Sequence, residues 1–299
     1  MNREAFTRRS AVLGGLALGA CAQSAPADPR EAYIPPPDDP RFAAIERRIG
    51  GRVGVAAWNT GADQWLGYRR NERFAMCSTF KWLLAAQMLK MADLSQRVLF
   101  GDSDLLEYAP VTRARITDGP IGRMGAMTIE ELCEAMVVVS DNTAANLLLQ
   151  GAMGPQGFTS FLRANGDGVT RLDRMEPELN NVPPGDERDT TTPDVMARNL
   201  QTFLATDEVL NAAARERLIG WMIASTTGRE RLRAGLPSDW RVGDKTGTSP
   251  SATNDVAIAW PPGRAPIVIA CYLVESAAPQ AERNAAHAEI GRIIAEEWA

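Results

Sequence analysis

Strand-like apolar segments lie near both ends of the 299-residue sequence, and a long helical region separates them. Strands from the two ends must pair with each other to bury their apolar faces, so this order predicts one antiparallel sheet of about five strands. The expected fold class is α/β, an α+β sandwich, with terminal helices on the sheet and an inserted all-helical domain. The predicted strands are residues 52–58, 64–68, 240–248, 254–260 and 265–274.

The same pattern predicts domain boundaries. Residues 41–75 and 228–299 should form the α/β domain, which a helix near residues 281–298 completes. Residues 76–227 should form the all-α domain. Residues 23–40 are rich in Pro and Asp without any apolar period, so we expect them to be a disordered tether.

Residues 1–22 combine arginines with a ten-residue apolar run, "AVLGGLALGA", which is typical of a signal peptide and too short to span a bilayer. Arg8 and Arg9 within "TRRSAVL" resemble a twin-arginine signal. Leu18–Cys21 resembles a lipobox that would leave a lipid on Cys21, whereas Ala25-Pro26-Ala27 fits cleavage to a soluble form. Both alternatives predict a periplasmic or otherwise extracytoplasmic protein, either soluble or lipid-anchored.

The charge balance argues against nucleic acid as a partner. Asp and Glu number 37 against 32 Lys and Arg, the net charge is -5, and no basic stripe follows residue 9. Lysine is rare: only Lys81, Lys90 and Lys245 occur among the 32 basic residues. Each lysine is therefore a candidate for a role that arginine could not perform.

The single histidine restricts the chemistry. A Ser-His-Asp triad would have to use His287, and zinc hydrolases usually need two or three histidine ligands. His287 lies in a predicted terminal helix without a candidate nucleophile nearby, so we expect it at the surface or in helix packing. A hydrolase with this sequence must use another base, and no metal or other cofactor is predicted.

Ser78 and Lys81 are three residues apart at the start of an apolar helix, which places their side chains on one face. A desolvated lysine can lose its proton near neutral pH and act as a base, whereas arginine stays charged. The helix N-terminus could also offer the backbone N–H of Ser78 to an oxyanion. By itself the S-x-x-K pattern is a weak signal, because it also arises by chance.

Two further motifs follow, each with an ordinary structural explanation. Ser140-Asp141-Asn142 lies between two apolar helices and suits helix capping, but Ser140 could also relay a proton and Asn142 could hold a substrate amide. Residues 243–249, "GDKTGTS", end a predicted strand. There Lys245 offers a fixed charge, and Gly247 allows a ligand to approach the backbone closely.

Taken in order, S-x-x-K, S-D-N and K-T-G resemble the motif set of class A β-lactamases and penicillin-binding proteins. Residues 171–193, "RLDRMEPELNNVPPGDERDTTTP", closely resemble the Ω-loop of class A β-lactamases, here assigned to residues 171–189. The resemblance extends from about Arg41 to Trp298. It implies that Glu176 and Asn180 activate water and that Arg174 and Asp189 close the loop's neck as an ion pair.

The resemblance implies that the chain hydrolyses small β-lactam substrates, as a monomer, at an active site between the sheet domain and the helical domain. Ser78 would attack the lactam carbonyl, and either Lys81 or Glu176, acting through a water, would take its proton. The backbone N–H groups of Ser78 and Thr248 would hold the oxyanion, and Ser140 would protonate the leaving nitrogen. Glu176 would then direct water at the ester.

The resemblance also assigns the substrate's carboxylate to Lys245, Thr246 and Thr248. Many family members add an arginine on the strand after K-T-G, but Thr253 holds that position here. A subset uses an arginine about fourteen residues before the motif lysine, which predicts Arg231 as the second cation. Tyr108 corresponds to the aromatic residue at the mouth of the site, and residues 119–127 form an insertion that could alter access.

The cysteines depart from the family pattern. Cys133 matches half of a common disulfide, but its partner position holds Ala85. Cys77 precedes the nucleophile as in some carbapenem-hydrolysing members, yet Ser249 stands near the position of its partner. We therefore expect neither disulfide to form.

Two alternatives remain open on sequence grounds. A penicillin-binding DD-peptidase or transpeptidase shares the three motifs but lacks a deacylating glutamate, so a β-lactam would trap it. The second alternative is a non-catalytic binding protein with a β-lactamase-like fold. The presence of Ser78, Lys81 and Glu176 argues against this alternative.

Overall fold

The structure is a computed structural model in which residues 37–120 and 122–298 are described. These residues belong to one compact unit, residues 36–299. The predicted signal peptide, the lipid site at Cys21 and residues 23–36 of the predicted tether lie outside the described residues.

The regular elements are defined here for reference. The helices are α1 (Pro40–Ile49), α2 (Lys81–Met91), α3 (Pro110–Ala114), α4 (Ile129–Val138), α5 (Asn142–Gly151), α6 (Gly154–Ala164), α7 (Pro193–Leu204), α8 (Ala212–Ile223), α9 (Leu232–Gly235) and α10 (Gln280–Trp298). The strands are β1 (Arg52–Asn59), β2 (Gln64–Tyr68), β3 (Phe74–Ala75), β4 (Arg97–Gly101), β5 (Thr117–Gly119), β6 (Gly122–Thr128), β7 (Thr190–Thr191), β8 (Arg241–Ser249), β9 (Ala252–Trp260) and β10 (Ile267–Val274).

The main sheet has five antiparallel strands in the order β2-β1-β10-β9-β8. It joins the two ends of the chain, since β1 from the N-terminal part lies beside β10 from the C-terminal part, with Val55 opposite Cys271. The predicted antiparallel five-stranded fold is therefore confirmed. Each predicted strand is present within two residues of its expected ends, because all five combine an apolar pattern with clear turn residues between them.

Each face of the sheet buries its own apolar cluster. On one face, α1 and α10 pack over the strands, and Phe42, Ile45, Ile290 and Trp298 are among the buried residues. On the other face, a larger cluster joins the sheet to α2, α4, α5, α6, α7 and α8. The wholly buried residues of α2, such as Trp82, explain why this helix is apolar all round.

Two details differ from the sequence-based expectation. Residues 76–227 are not purely helical, because β4, β6 and β5 form a three-stranded antiparallel sheet within them. The inserted residues are part of this sheet, as Gly119 pairs with Gly122 at the tip of the β5–β6 hairpin. The end of the predicted tether is also folded: Asp39 caps α1 and its backbone N–H donates to Gly67 O.

Candidate active site

The turn that carries Ser78 lies at the junction of the sheet and the helices. Residues Cys77–Phe80 form a 3-10 turn that runs directly into α2 at Lys81, so Ser78 and Lys81 lie one turn apart. The Ser78 hydroxyl donates a hydrogen bond to Glu176 Oε1 at 3.1 Å. The structure thus brings the S-x-x-K serine into direct contact with the Ω-loop glutamate.

Lys81 is completely buried and surrounded by acceptors. Its Nζ donates to Ser140 O at 2.9 Å and to Asn142 Oδ1 at 2.6 Å, and it lies 3.0 Å from Glu176 Oε1. Burial lowers the pKa of the Lys81 ammonium below its ordinary value, while the neighbouring Glu176 carboxylate acts in the opposite direction. A buried amine with a lowered pKa is the chemistry that the sequence predicted for this position.

The S-D-N motif provides both capping and site contacts. Asp141 caps α5 by accepting from Ala144 N at 2.9 Å, and it also accepts from Thr112 N at 2.9 Å. These bonds fix the start of α5 and confirm the capping interpretation, while the roles of Ser140 and Asn142 toward a substrate stay predictions. Ser140 adopts a left-handed backbone conformation, with φ of 62°, that turns the chain between the two helices.

The hydroxyl of Ser140 lies between the two motif lysines. Lys245 Nζ donates to Ser140 Oγ at 3.0 Å, and Lys81 Nζ approaches the same oxygen at 3.4 Å. Burial, and secondly the charge of Lys81, lower the pKa of Lys245 well below its ordinary value. A hydroxyl that contacts two ammonium groups is placed to exchange a proton with either one.

The Ω-loop is closed at its neck. Arg174 Nε lies 2.6 Å from Asp189 Oδ2, and the fully buried Asp189 carboxylate also accepts from the backbone N–H groups of Asp173 and Arg174. The carbonyl oxygen of Asp189 in turn accepts from Met76 N at 3.0 Å. The neck of the loop is therefore tied to the strand that leads to Ser78.

Glu176 is held at its backbone and at its carboxylate. Asn146 on α5 bonds to the Glu176 backbone reciprocally, donating to its carbonyl at 2.8 Å and accepting from its N–H at 2.9 Å. Asn180 donates to Glu176 Oε2 at 2.6 Å. Sequence reasoning missed Asn146, which lies four residues after the S-D-N asparagine and so occupies the same face of α5.

The K-T-G strand is the edge strand β8, next to the Ser78 turn. A Cβ on Gly247 would lie 2.5 Å from Met76 O and 3.2 Å from Ser78 N. Glycine is therefore needed at position 247 because β8 packs against the turn that carries Ser78. The reason expected from the sequence was close approach of a ligand to the backbone. Thr246 Oγ1 lies 2.6 Å from Thr227 Oγ1, a contact that the motifs alone did not indicate.

Arg231 is a buried cation whose partners are neutral. Its guanidinium donates to Thr248 Oγ1 at 2.8 Å, to Asn254 O at 2.7 Å and to Asn284 Oδ1 at 3.1 Å. Among the described residues it forms no ion pair with a carboxylate, and burial lowers the pKa of the Arg231 guanidinium. The Asp255 and Asp244 carboxylates lie near enough to oppose this lowering of the pKa. A buried guanidinium beside a threonine hydroxyl, without a direct carboxylate partner, is suited to binding an anion.

These residues converge on a cavity of about 290 Å³. Tyr108 stands at its rim with 52 % of its surface exposed. None of the described residues of the insertion, 119–120 and 122–127, lines this cavity, and the expectation that the insertion alters access stays a prediction. The lining consists of Ser78, Tyr108, Ser140, Asn142, Asn180, Thr227, Arg231, Thr246 and Thr248.

The cysteines and the histidine in the described part of the chain are buried. Cys77, Cys133 and Cys271 are free and buried, and burial raises the pKa of the Cys77 thiol to about 12. His287 is fully buried, so the surface alternative was wrong and helix packing was right. Its Nε2 lies 2.7 Å from Thr253 O, and burial lowers its pKa to about 3.

The described residues include neither a helix suited to span a membrane nor a cluster of metal ligands. Residues 37–120 and 122–298 contain no helix with both the length and the hydrophobicity to cross a membrane. The same residues contain no group of three or more His, Cys, Asp or Glu side chains that could hold a metal ion.

Comparison with known proteins agrees with this geometry. The family described as the β-lactamase enzyme family matches residues 39–298. β-Lactamase AST-1 of Nocardia asteroides is 44% identical over 96% of this chain and 94% of its own. β-Lactamase L2 of Stenotrophomonas maltophilia is 45% identical over 93% of this chain and 89% of its own.

A solved structure supports the same assignment. An ancestral class A β-lactamase, GNCA, superimposes with a TM-score of 0.82 at 51% identity, covering 87% of this chain and 99% of its own. The family match, the relatives and the shared fold lead to one conclusion: this chain belongs to the class A β-lactamases.

Proposed function

We propose that this protein hydrolyses β-lactams through a serine acyl-enzyme intermediate, with Ser78 as the nucleophile and Glu176 as the residue that activates the deacylating water. The observation that carries the proposal is the hydrogen-bonded group of Ser78, Lys81, Ser140 and Glu176 at one cavity. Membership of the β-lactamase family supports the same reaction.

In the first half of the reaction, Ser78 Oγ forms a bond to the lactam carbonyl carbon, and the bond from that carbon to the ring nitrogen breaks. The direct hydrogen bond from Ser78 to Glu176 supports Glu176 as the acceptor of the hydroxyl proton. Lys81 contacts the same carboxylate oxygen and stabilises its charge before the transfer.

The oxyanion and the leaving nitrogen need donors. The close packing of Gly247 against Ser78 N brings the N–H groups of Ser78 and Thr248 toward the same region, which supports them as the oxyanion donors. Ser140, hydrogen-bonded to Lys245 and close to Lys81, delivers the proton to the leaving nitrogen and can be reprotonated from a lysine.

In the second half, water attacks the ester carbonyl and the bond to Ser78 Oγ breaks. Before this step, Lys81 gives a proton to Ser140 and takes the proton that Glu176 accepted from Ser78, so that Glu176 is again a carboxylate. Glu176 then takes the proton from this water, and Asn180, hydrogen-bonded to the same carboxylate, fixes its direction. The proton then returns to Ser78. This half distinguishes the proposal from a penicillin-binding protein, which would remain acylated.

Arg231 and Lys245 supply the positive charge for the substrate's carboxylate, and Thr246 and Thr248 supply hydroxyl groups beside them. An Arg231→Ala variant is expected to raise KM for a penicillin at least tenfold with a smaller change in kcat, because a ground-state ionic contact is lost. Steady-state kinetics of the purified variant measure both constants. Unchanged KM and kcat would remove Arg231 from this role.

A direct test of the proposed function is the turnover of a chromogenic cephalosporin by the purified protein. We expect sustained turnover, and a Ser78→Ala variant should lose it by at least about 10⁴-fold because no covalent intermediate can form. A single stoichiometric burst by the parent protein would instead favour the penicillin-binding alternative. No reaction at all would favour a non-catalytic binding protein.

The location of the protein and its division into domains are proposed as follows. We propose that the protein acts outside the cytoplasm as a monomer on small β-lactams, that a signal peptide directs its export, and that a lipid on Cys21 is an alternative to a soluble mature form. We also propose the division into an α/β domain, residues 41–75 and 228–299, and a helical domain, residues 76–227. The main sheet supports this division, because all five of its strands come from residues 41–75 and 228–299.

A further inference from the structure

A second cavity, of about 350 Å³, shares no lining residue with the active-site cavity. One wall is a single face of α6, and the other is the segment that leads into the Ω-loop. We call it the arginine cavity. Its lining consists of Arg73, Gln156, Thr159, Ser160, Arg163, Val169, Arg171, Leu172 and Asp173.

Positive charge dominates this cavity. Three arginines line it, and Asp173 is the one carboxylate in the lining, paired with Arg171 at 2.6 Å. Arg73 has a second carboxylate nearby, Glu187, but their closest atoms are 3.8 Å apart and Glu187 is 63% exposed outside the lining. Three guanidinium groups with one close ion pair leave an excess of positive charge.

Neutral acceptors fix two of these arginines. Arg163 Nη1 donates to Asp167 O at 2.5 Å and to Thr170 O at 2.7 Å. Arg73 Nη1 donates to Val169 O at 3.2 Å. Bonds to carbonyl oxygens orient a guanidinium without neutralising it, and each group keeps further N–H donors because a guanidinium carries five.

The carboxylate nearest Arg163 is already occupied. Asp167 lies 3.8 Å from Arg163 Nη1, but its Oδ1 accepts from the backbone N–H groups of Val169 and Thr170. Its Oδ2 accepts from Asn199 at 2.7 Å. Asp167 therefore serves the loop after α6 and compensates Arg163 only in part.

We propose that the arginine cavity binds a phosphate group, either inorganic phosphate or the phosphate of a phosphomonoester. Oriented guanidinium groups from three separate segments match the several oxygens of a tetrahedral dianion, and this charge-assisted pairing is stronger than bonding to a neutral group. Ser160 and Gln156 add neutral donors on the α6 wall. This site is independent of β-lactam hydrolysis and of Arg231.

The experiment measures thermal unfolding in sodium phosphate and in sodium chloride at equal pH and ionic strength. At ten times its dissociation constant, inorganic phosphate should raise the Tm of the parent protein by about 3 °C relative to chloride. A parallel series with glycerol 1-phosphate identifies the source: a rise with both compounds assigns a phosphomonoester, and a rise with inorganic phosphate alone assigns the free ion.

Variants separate this site from general salt effects, since phosphate also stabilises proteins by exclusion from their surfaces. Ser160→Glu adds a negative charge to the cavity without removing a fold contact and should abolish the specific rise. Ala213→Glu adds the same charge at an exposed position of α8 and should retain it. Arg163→Gln should weaken phosphate binding by about tenfold.

Arg231→Ala is the decisive comparison, because phosphate could instead enter the catalytic cavity. The phosphate-dependent rise in Tm should survive in this variant. Equal Tm values in phosphate and chloride for the parent protein would overturn the proposal. A phosphate-dependent rise in Tm that Ser160→Glu retains and Arg231→Ala loses would also overturn the proposal, because phosphate would then bind in the catalytic cavity.

Discussion

A Glu176→Ala variant is expected to release one equivalent of chromogenic product from a cephalosporin and then nearly stop. Acylation can continue at a lower rate with Lys81, the alternative base, in place of Glu176, but the ester remains because the group that activates water is gone. Loss of a positioned general base typically lowers a step by 10²–10⁴-fold, so we expect deacylation to fall about 10³-fold. Stopped-flow absorbance separates the burst from the steady state.

Glu178→Ala is the matched control for this variant. Glu178 belongs to the same loop and carries the same charge, but it is exposed and faces no site residue. Its removal should leave both the burst and the steady state within about twofold of the parent, as expected for a surface substitution. Sustained turnover by Glu176→Ala at the parent rate would show that another group activates the water.

The second large effect concerns Lys81→Arg. The substitution keeps a positive charge but removes the amine that contacts both Ser140 and Glu176 and that can lose a proton. It also forces a larger side chain into a fully buried site. We expect kcat/KM for a penicillin to fall at least about 10³-fold.

Lys90→Arg provides the control for Lys81→Arg. Lys90 is exposed on the same helix, and its Nζ contacts only the carbonyl of Val209. Arginine can make this contact equally well, so activity and Tm should match those of the parent. If Lys81→Arg kept activity within tenfold of the parent while remaining folded, the desolvated amine would not be needed for either half of the reaction.

The motif residues could be predicted because each requires a specific chemistry at a fixed spacing. Ser78 and Lys81 are adjacent on one turn by helix geometry alone. Their proximity to Ser140 and Lys245 could not be deduced from spacing, since it depends on how α5 and β8 pack against that turn. The prediction that these residues lie close together came from the resemblance to a family. The structure brings Ser140 into contact with Lys81 and Lys245.

The contacts that hold the motif residues were harder to foresee. Asn146 and Thr227 are ordinary polar residues in the sequence, and only the tertiary fold reveals that one holds the Glu176 backbone and the other contacts Thr246. For Gly247, the structure adds a reason that the sequence did not indicate, which is that the strand packs against the Ser78 turn. Close approach of a ligand at Gly247 stays a prediction.

In the fold, too, some elements could be predicted from the sequence and others could not. Strands of the main sheet were predictable because each shows a strong apolar pattern ending in turn residues. The β4–β6–β5 sheet was missed because β5 is short and wholly exposed, and because β6 begins with two exposed residues and contains Gly122 and Gly125, which weaken its apolar pattern. Local patterns reveal buried elements more readily than exposed ones.

The central claim is that Ser78 carries a covalent acyl group that Glu176 removes, and mass spectrometry of Glu176→Ala tests it most directly. After incubation with a penicillin, we predict an intact mass increased by one whole penicillin, with the addition on the tryptic peptide of residues 74–81. A Ser78→Ala/Glu176→Ala double variant should show no addition. An unmodified Glu176→Ala protein, or an adduct on any other peptide, would contradict the account.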